Sequence, residues 1–281
     1  MPALPKSGLK YMITFDTIVV DPIINILLLI YKILFSLNVP FALGFSIIVL
    51  TIVIRFILYP LTSAQLKASK KMQDVAPHLS KLKDKHKGDA KTLQAETMKL
   101  YKEFGVNPAA GCLPVLIQLP VIWGLYSVLI KVINLGANTV SEINKLAYSD
   151  FLRLDKPWDV YFFGIPLAQN PGQLISTMGP IILLVPILTG VFQFIQSKMM
   201  MSAVGDKKLV VKDAKKKEDF ASAFQTQSLY IFPVMIGFLS YTFPIGLSLY
   251  WNTFTIFGIM QQYKTTGLGS LEDLIKKYVK K

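Results

Sequence analysis

The sequence predicts an all-α, polytopic membrane protein, and three observations carry that prediction. Hydrophobic residues make up 52% of the 281 positions, and the mean hydropathy is +0.47. The apolar residues are grouped into long runs, as membrane-spanning helices require, and do not alternate with charged residues. Lysine and arginine are concentrated in the segments that separate these runs. Together these observations exclude a soluble globular domain of ordinary composition.

Five of the apolar runs are predicted to be transmembrane helices. A helix of about 20 residues, rising 1.5 Å per residue, crosses a hydrocarbon core of about 30 Å. The last two runs are shorter and meet at Phe243 and Pro244, which is typical of a tight hairpin and favours local thinning of the bilayer. The five predicted spans are residues 41–61, 112–133, 176–197, 228–242 and 244–262.

The distribution of basic residues predicts the orientation of these spans. Of the 30 lysine and arginine residues, ten lie in residues 62–111, seven in 198–227 and five in 263–281. The positive-inside rule assigns these three segments to the cytoplasm, so that residues 134–175 form an extracytoplasmic loop and 263–281 a basic cytoplasmic tail. The net charge of +13 therefore indicates membrane orientation and attraction to anionic lipids, with no sign of DNA recognition.

Two segments precede the first span. Residues 1–20 lack the features of a secretory signal and are predicted to form an N-terminal extracytoplasmic tail. Residues 21–38 are predicted to form an amphipathic helix that lies along the outer membrane interface, with a sixth span as the alternative. Their polar positions fall within a narrow arc at 100° per residue and leave a broad apolar face. These positions are Asp21, Asn25, Lys32 and Ser36.

The basic segment 62–111 is predicted to contain a cytoplasmic helical hairpin. Pro77 is expected to begin its first helix, Gly88 and Asp89 to break that helix, and residues 90–104 to form the second helix. The apolar positions form only a thin stripe, which predicts weak docking and mobility.

Sequence motifs of enzymes and metal sites are missing. The chain contains no HExxH pair, GxSxG elbow or P-loop, and no aspartate pair lies in a predicted span. His78 and His86 lie eight residues apart among lysines, which is more typical of solvated surface than of metal binding. Cys112 is the only cysteine, which excludes an internal disulfide. The sequence therefore predicts no catalytic activity, no metal and no cofactor.

Arg55 is the candidate functional residue because it lies inside the first apolar run. A charge at the centre of a membrane helix costs about 2.5–3.5 kcal/mol unless it faces water, an acidic partner or backbone carbonyls. No predicted span contains Asp or Glu, so water is the predicted environment, with snorkelling to the interface as the alternative. Uncharged polar and aromatic residues of other spans are predicted to share this wet cavity, although interhelical hydrogen bonds and aromatic belts are the ordinary roles of such residues. They are Gln118, Gln193, Gln196, Tyr250, Trp251 and Asn252.

Three stretches resemble the YidC/Oxa membrane protein insertase family: TIVIRFILYPLTSAQLKASKKMQ (51–73), LYKEFGVNPAAGCLPVLIQLPVIWGLY (100–126) and YTFPIGLSLYWNTFTIFGIMQQY (241–263). The resemblance extends over residues 20–265. It implies a five-span core without a central pore and a hydrophilic groove open to cytoplasm and lipid. By this resemblance Arg55 matches the arginine of the family's first span, Trp251 an aromatic residue that lines the groove, and Gln193 a groove glutamine.

The resemblance leads to a functional hypothesis. The chain is expected to be an insertase and chaperone for small or single-span proteins in the bacterial cytoplasmic membrane, with its C-terminus in the cytoplasm. Nascent membrane proteins are the expected clients, and the hairpin around Pro77, Gly88 and Asp89 is expected to receive them. A Sec translocon, the ribosome and anionic lipids are the candidate partners. Two alternatives stay open, a small-molecule transporter or channel and a passive assembly factor for proteins that a translocon inserts.

Overall fold

The structure, a computed structural model, describes residues 16–86, 88–106, 119–120, 122–124, 126–128, 139–200 and 220–279. These residues are mostly helical, as predicted. The helices are α1 (Asp21–Ser36), α2 (Ala42–Ile57), α3 (Tyr59–Lys85), α4 (Ala90–Glu103), α5 (Thr139–Asn144), α6 (Pro171–Met178), α7 (Leu184–Met199), α8 (Phe220–Thr242), α9 (Ile245–Thr266) and α10 (Leu271–Val279).

Shorter elements complete the described part of the chain. A π-helical turn, Asp16–Val20, leads into α1, and 3₁₀ turns occupy Asp150–Leu152 and Pro180–Leu183. Strands β1 (Tyr161–Phe162) and β2 (Ile165–Pro166) form a small antiparallel hairpin, which is the departure from an all-α structure within the described residues.

Two of the described helices are long and apolar enough to cross a membrane. They are Asp16–Ser36, with a mean hydropathy of 2.2, and Pro180–Met199, with 1.7. A third span results if α2 and the beginning of α3 are counted as one, and Leu229–Thr242 is a shorter apolar helix. Most of the predicted span 112–133 lies outside the described residues, so the number of five spans stays a prediction.

The predicted span 41–61 is interrupted at Leu58, between α2 and α3. Pro60 explains the break, because it has no N–H to donate to the carbonyl of Phe56 and its ring clashes there with a continuing helix. Proline is tolerated in the first turn of a helix, and α3 accordingly begins with Pro60 in its first two positions. The predicted span 176–197 is likewise displaced, since Gly179, at φ +72°, ends α6 and the apolar helical stretch begins at Pro180.

The expectation that Pro77 begins a helix is wrong. Pro77 lies inside α3, which has already begun at Tyr59. The residues between them include many strong helix formers and no glycine, so the helix continues despite one missing backbone hydrogen bond. The predicted turn at Gly88 and Asp89 is present: α3 ends at Lys85, Gly88 has φ +97° and Asp89 caps α4.

The described chain forms two compact units. The first comprises Met1–Phe56, Leu116–Thr189 and Gly237–Phe254, and the second comprises Ile57–Val115, Gly190–Ile236 and Thr255–Lys281. A single hydrophobic cluster from α1, α2, the loop after α5 and the start of α9 fills the first unit. Burying this apolar surface is the main stabilising contribution to such a core.

Helix α1 is held by side-chain contacts to the segment that follows α5 in the first unit. Asn25, predicted to lie on a polar face, is 5% exposed; its amide donates to Leu146 O at 2.9 Å and accepts from Tyr148 N at 2.7 Å. Two helical turns later, Lys32 lies 5.5 Å from the centroid of the Phe151 ring. Asn25 and Lys32 of α1 thus contact this segment, and the amide of Asn25 satisfies backbone groups that would otherwise be buried without partners.

Candidate functional site

The site is built around the Arg55 side chain, which the first unit encloses. Arg55 lies in the last turn of α2 and is 5% exposed. Its Nη2 donates a hydrogen bond of 2.5 Å to the backbone carbonyl of Phe254, in α9. The Arg55 guanidinium carbon also lies 3.3 Å from the centroid of the Phe254 ring. One residue of α9 therefore contributes two contacts to the arginine, a carbonyl dipole and an aromatic face.

Tyr250 extends this arrangement by one helical turn. Its side chain is 1% exposed, and its ring centroid lies 5.8 Å from that of Phe254. Residues four apart in a helix lie on the same face, so the two rings form one aromatic surface on the side of α9 that meets Arg55. Aromatic faces carry partial negative charge and attract cations, most strongly where water is excluded.

These contacts identify two partners of the Arg55 guanidinium, a backbone carbonyl and an aromatic ring. Water was expected beside it because the predicted spans contain no carboxylate, and that expectation stays a prediction. Neither of the two partners carries a formal negative charge. The contacts stabilise the guanidinium and leave its positive charge in place, inside a site of low dielectric where its field is strong.

The other sequence-predicted residues of the groove are distributed as follows. Trp251 is half-buried and packs against the core of the first unit. Asn252 is also half-buried, and its Oδ1 is buried with no hydrogen-bond partner among the described residues. Gln193 and Gln196 are half-buried residues of α7 and belong to the second unit. Gln118 lies outside the described residues. The structure thus brings Arg55 together with Tyr250, through Phe254.

The second unit contains a polar cluster that sequence reasoning missed. Gln261 of α9 is 2% exposed, and its Nε2 donates toward Tyr59 O at 3.1 Å, Thr62 Oγ1 at 2.6 Å and Ser63 Oγ at 3.0 Å. All three acceptors lie in the first turns of α3. The available signals were a glutamine at the C-terminal end of an apolar run and the hydroxyl residues that follow Pro60.

Several buried polar atoms of this second unit have no hydrogen-bond partner among the described residues. Native proteins satisfy the large majority of such atoms, so this group identifies a buried polar region of the second unit. Thr255, Gln262 and Gln65 are 1%, 2% and 7% exposed. The atoms are Thr255 Oγ1, Gln261 Oε1, Gln262 Oε1 and Gln65 Nε2.

Phe254 was missed in the first unit. Its side chain was read as part of an apolar run, and its role depends on a carbonyl 199 positions from Arg55 in the chain. The spacing of four residues from Tyr250 was the available signal, because it places two aromatic rings on one face of α9.

The fold and this site define an α-helical membrane protein that encloses an arginine within its apolar helices. The family model described as 60Kd inner membrane protein matches residues 34–269. The membrane protein insertase YidC of Fusobacterium nucleatum is 34% identical over 221 residues, covering 78% of this chain and 84% of that protein. YidC of Oceanobacillus iheyensis is 32% identical over 223 residues, covering 78% and 72%.

The chain therefore belongs to the 60Kd inner membrane protein family, as its resemblance to the YidC/Oxa insertases predicted. A chloroplast relative, the inner membrane protein ALBINO3 of Arabidopsis thaliana, is 30% identical over 259 residues, covering 83% of this chain and 48% of that protein. The chain spans only 32% of the length of the YidC of Wolinella succinogenes. A crystal structure of an active YidC insertase shares the fold, with a TM-score of 0.55 and 23% identity over 92% of this chain and 50% of that one.

Proposed function

We propose that this chain is a membrane protein insertase that admits the polar end of a client through a hydrophilic groove. The relatives that bear the name insertase support the activity. The observation that carries the mechanism is the Arg55 guanidinium, enclosed among apolar helices and held by the carbonyl and ring of Phe254. A fixed positive charge in such a place attracts a polypeptide segment that carries acidic residues.

The groove is proposed to follow one side of α9. Trp251, Thr255 and Gln262 are spaced four and seven residues apart, which places them along one side of the helix. Asn252 adjoins this side, and three of the four residues have a buried polar atom without a partner among the described residues. The amides Gln118, Gln193 and Gln196 stay predicted groove residues.

The mechanism requires no bond-making chemistry. Because Arg55 is 5% exposed, its charge acts on the client mainly through its field, which lowers the energy of an acidic segment on its way across. The apolar helix of the client meanwhile enters lipid, and burying its surface supplies about 25 cal/mol per Å². Short final spans that thin the bilayer would shorten the path of the polar segment.

The proposed setting follows from the positive-inside rule and from the family. The chain lies in the bacterial cytoplasmic membrane with its C-terminus in the cytoplasm, and it assists the folding of the clients that it inserts. The hairpin of α3 and α4 receives nascent clients in the cytoplasm, with the turn at Gly88 and Asp89 exposed. A Sec translocon and the ribosome are proposed as partners for larger clients.

The test compares three arginine variants in vesicles that contain only the purified protein. Arg55→Ala is expected to reduce insertion of a single-span client with an acidic outer segment, whereas Arg55→Lys retains the charge and part of the activity. Arg153→Ala is the matched control, because Arg153 is the other arginine of the chain and lies exposed in the loop, paired with Asp150. Equal insertion by Arg55→Ala and wild-type protein would remove Arg55 from the mechanism.

The same vesicles separate the two alternatives. A passive assembly factor would insert no client without a translocon, and a channel would pass ions or small solutes through a sealed vesicle. Insertion of a client whose acidic residues are changed to asparagine is expected to depend less on Arg55, since the attraction that we propose acts on charge.

A further inference from the structure

Helix α10, at the C-terminal side of the second unit, has an apolar face that the described chain covers only in part: Leu271 and Leu274 are half-buried, and Ile275 is exposed. Leu271, Leu274 and Ile275 are spaced three and four residues apart and lie on one side of the helix. Ile275 is 42% exposed. On the other side Lys276 and Glu272 form an exposed ion pair with an N–O distance of 2.7 Å. A short helix with one apolar and one charged side is typical of segments that lie in a membrane interface.

The start of α10 is fixed at the ends of two membrane helices. Gly267 and Gly269, at φ +81° and +54°, end α9 and form the turn that leads into α10. Ser270 is fully buried, and its hydroxyl donates to Lys198 O at 2.7 Å, in the last turn of α7. Because α7 belongs to a candidate span, this hydrogen bond holds the residue that precedes α10 at the level where that span ends.

The residues around this point resemble those of a membrane interface. Tyr263, one turn before the glycines, is 60% exposed, and tyrosine is enriched where membrane helices leave the hydrocarbon. The adjacent Lys264 is exposed, and Lys70 of α3 lines the same small cavity as Gly269. The segment 271–281 adds four lysines against two acidic residues. Basic residues thus precede α10, occur within it and follow it in the sequence.

We propose that α10 is an in-plane anchor that inserts its apolar face into the leaflet at which α9 ends and binds anionic lipid headgroups through its lysines. Both parts are needed, because three or four apolar side chains bury little surface, and basic residues near an anionic membrane add attraction for each positive charge. The hydrogen bond from Ser270 to Lys198 couples this anchor to the end of α7. The inference requires the membrane location of the family and is independent of the proposed insertase activity.

The experiment places one fluorescent label on each side of α10 in the full chain. With Cys112→Ser as background, an environment-sensitive fluorophore is attached at Ile275→Cys or at Glu272→Cys, and the protein is reconstituted in phosphatidylcholine vesicles with or without phosphatidylglycerol. The label at position 275 is expected to emit at shorter wavelength and to resist quenching by aqueous iodide when phosphatidylglycerol is present. The label at position 272 is expected to stay in water in both vesicles.

A second comparison tests the charge. Lys276→Gln is expected to lower the ratio of embedded to free label about fivefold, whereas Lys276→Arg leaves it unchanged, since one lysine near an anionic surface contributes that factor. Identical behaviour of the labels at 275 and 272 would overturn the proposal. Protection of the label at position 275 that is independent of lipid charge and rises with protein density would also overturn the proposal, because it indicates contact with a second copy of the protein. Protection that appears only when ribosomes are added would overturn it as well.

Discussion

The contact between Arg55 and Phe254 predicts how two substitutions affect stability, separately from any effect on insertion. The guanidinium is 5% exposed, bonded to the Phe254 carbonyl and placed over the Phe254 ring. Arg55→Ala removes the charge together with both contacts. Phe254→Leu removes the ring and leaves the charge in place with its carbonyl. The second change should therefore be at least as harmful as the first.

The magnitudes follow from the individual contributions. A hydrogen bond to a charged group contributes about 1.5–3 kcal/mol, and a desolvated cation–π contact about 2 kcal/mol. Against these stands a cost of about 2.5–3.5 kcal/mol for placing the arginine among membrane helices. The two sides nearly cancel, so Arg55→Ala should change stability by only about 1 kcal/mol, within the scatter of these contributions. Phe254→Leu should cost about 2–3 kcal/mol, because the ring contact and some buried area are lost while the charge stays.

The assay is a double-mutant cycle on purified protein in detergent, read as thermal stability by size-exclusion chromatography. The coupling between Arg55→Ala and Phe254→Leu is expected to be about 2 kcal/mol, the contribution of the cation–π contact. The cycle on Arg153→Ala and Phe254→Leu is the control and should be additive. Coupling of Arg55 to Phe254 below about 0.5 kcal/mol, the scatter of independent sites, would refute the reasoning.

Three further predictions concern other parts of the chain. A Cβ at Gly44 would overlap the Phe162 ring, so Gly44→Ala should destabilise the first unit by about 1–3 kcal/mol. The double variant with Phe162→Ala should recover part of the lost thermal stability, and equal melting temperatures of Gly44→Ala and wild type would contradict the contact. The Ser240 hydroxyl lies among the buried hydroxyls that link α7, α8 and α9. Ser240→Ala should therefore lower the stability measured by thermal unfolding in detergent by about 1 kcal/mol, the usual scale of such bonds in membranes. A loss of several times this value would mean that more than two hydrogen bonds are broken. The Thr92 hydroxyl and amide donate to the Asp89 carboxylate and hold its pKa below its usual range. The cap that Asp89 forms on α4 should therefore be fully effective above about pH 4, the ordinary pKa of aspartate, and should weaken as the pH falls through the lowered pKa. Amide hydrogen exchange in the first turn of α4 would detect this weakening as lost protection, and Asp89→Ala should show fast exchange at every pH.

Much of the helical framework could be predicted from local pattern. The apolar runs locate α2, α7, α8 and α9 because a helix in lipid must satisfy its own backbone and present apolar side chains over its whole length. The turn at Gly88 and Asp89 was equally accessible, since glycine and a capping aspartate act within four residues of chain. The break before Pro60 was also within reach, and was missed because length and hydropathy were given more weight than the backbone chemistry of proline.

The site was less accessible because it depends on residues that are distant in sequence. Arg55 was recognised as a charge that needed a partner, but its partner is a carbonyl 199 positions away, and every residue has a carbonyl. Asn25 shows the same limit, since its amide matches one donor and one acceptor of a loop 121 and 123 positions further on. A polar residue on a helix can face water or can satisfy buried backbone, and the periodicity of the helix is the same in both cases.

The near-cancellation at Arg55 separates a structural from a functional role for this residue. A buried charge that is paired well enough to be tolerated is seldom more stabilising than an apolar side chain of similar volume. If Arg55→Met keeps the stability of the wild-type protein, as this balance predicts, the guanidinium does not serve to hold α2 against α9. Its remaining physical property is a positive charge among apolar helices, and only a process that moves negative or polar groups past this point can use it. Loss of insertion by Arg55→Met with unchanged melting would therefore assign the charge to the passage of the client, whereas loss of both together would assign it to the fold.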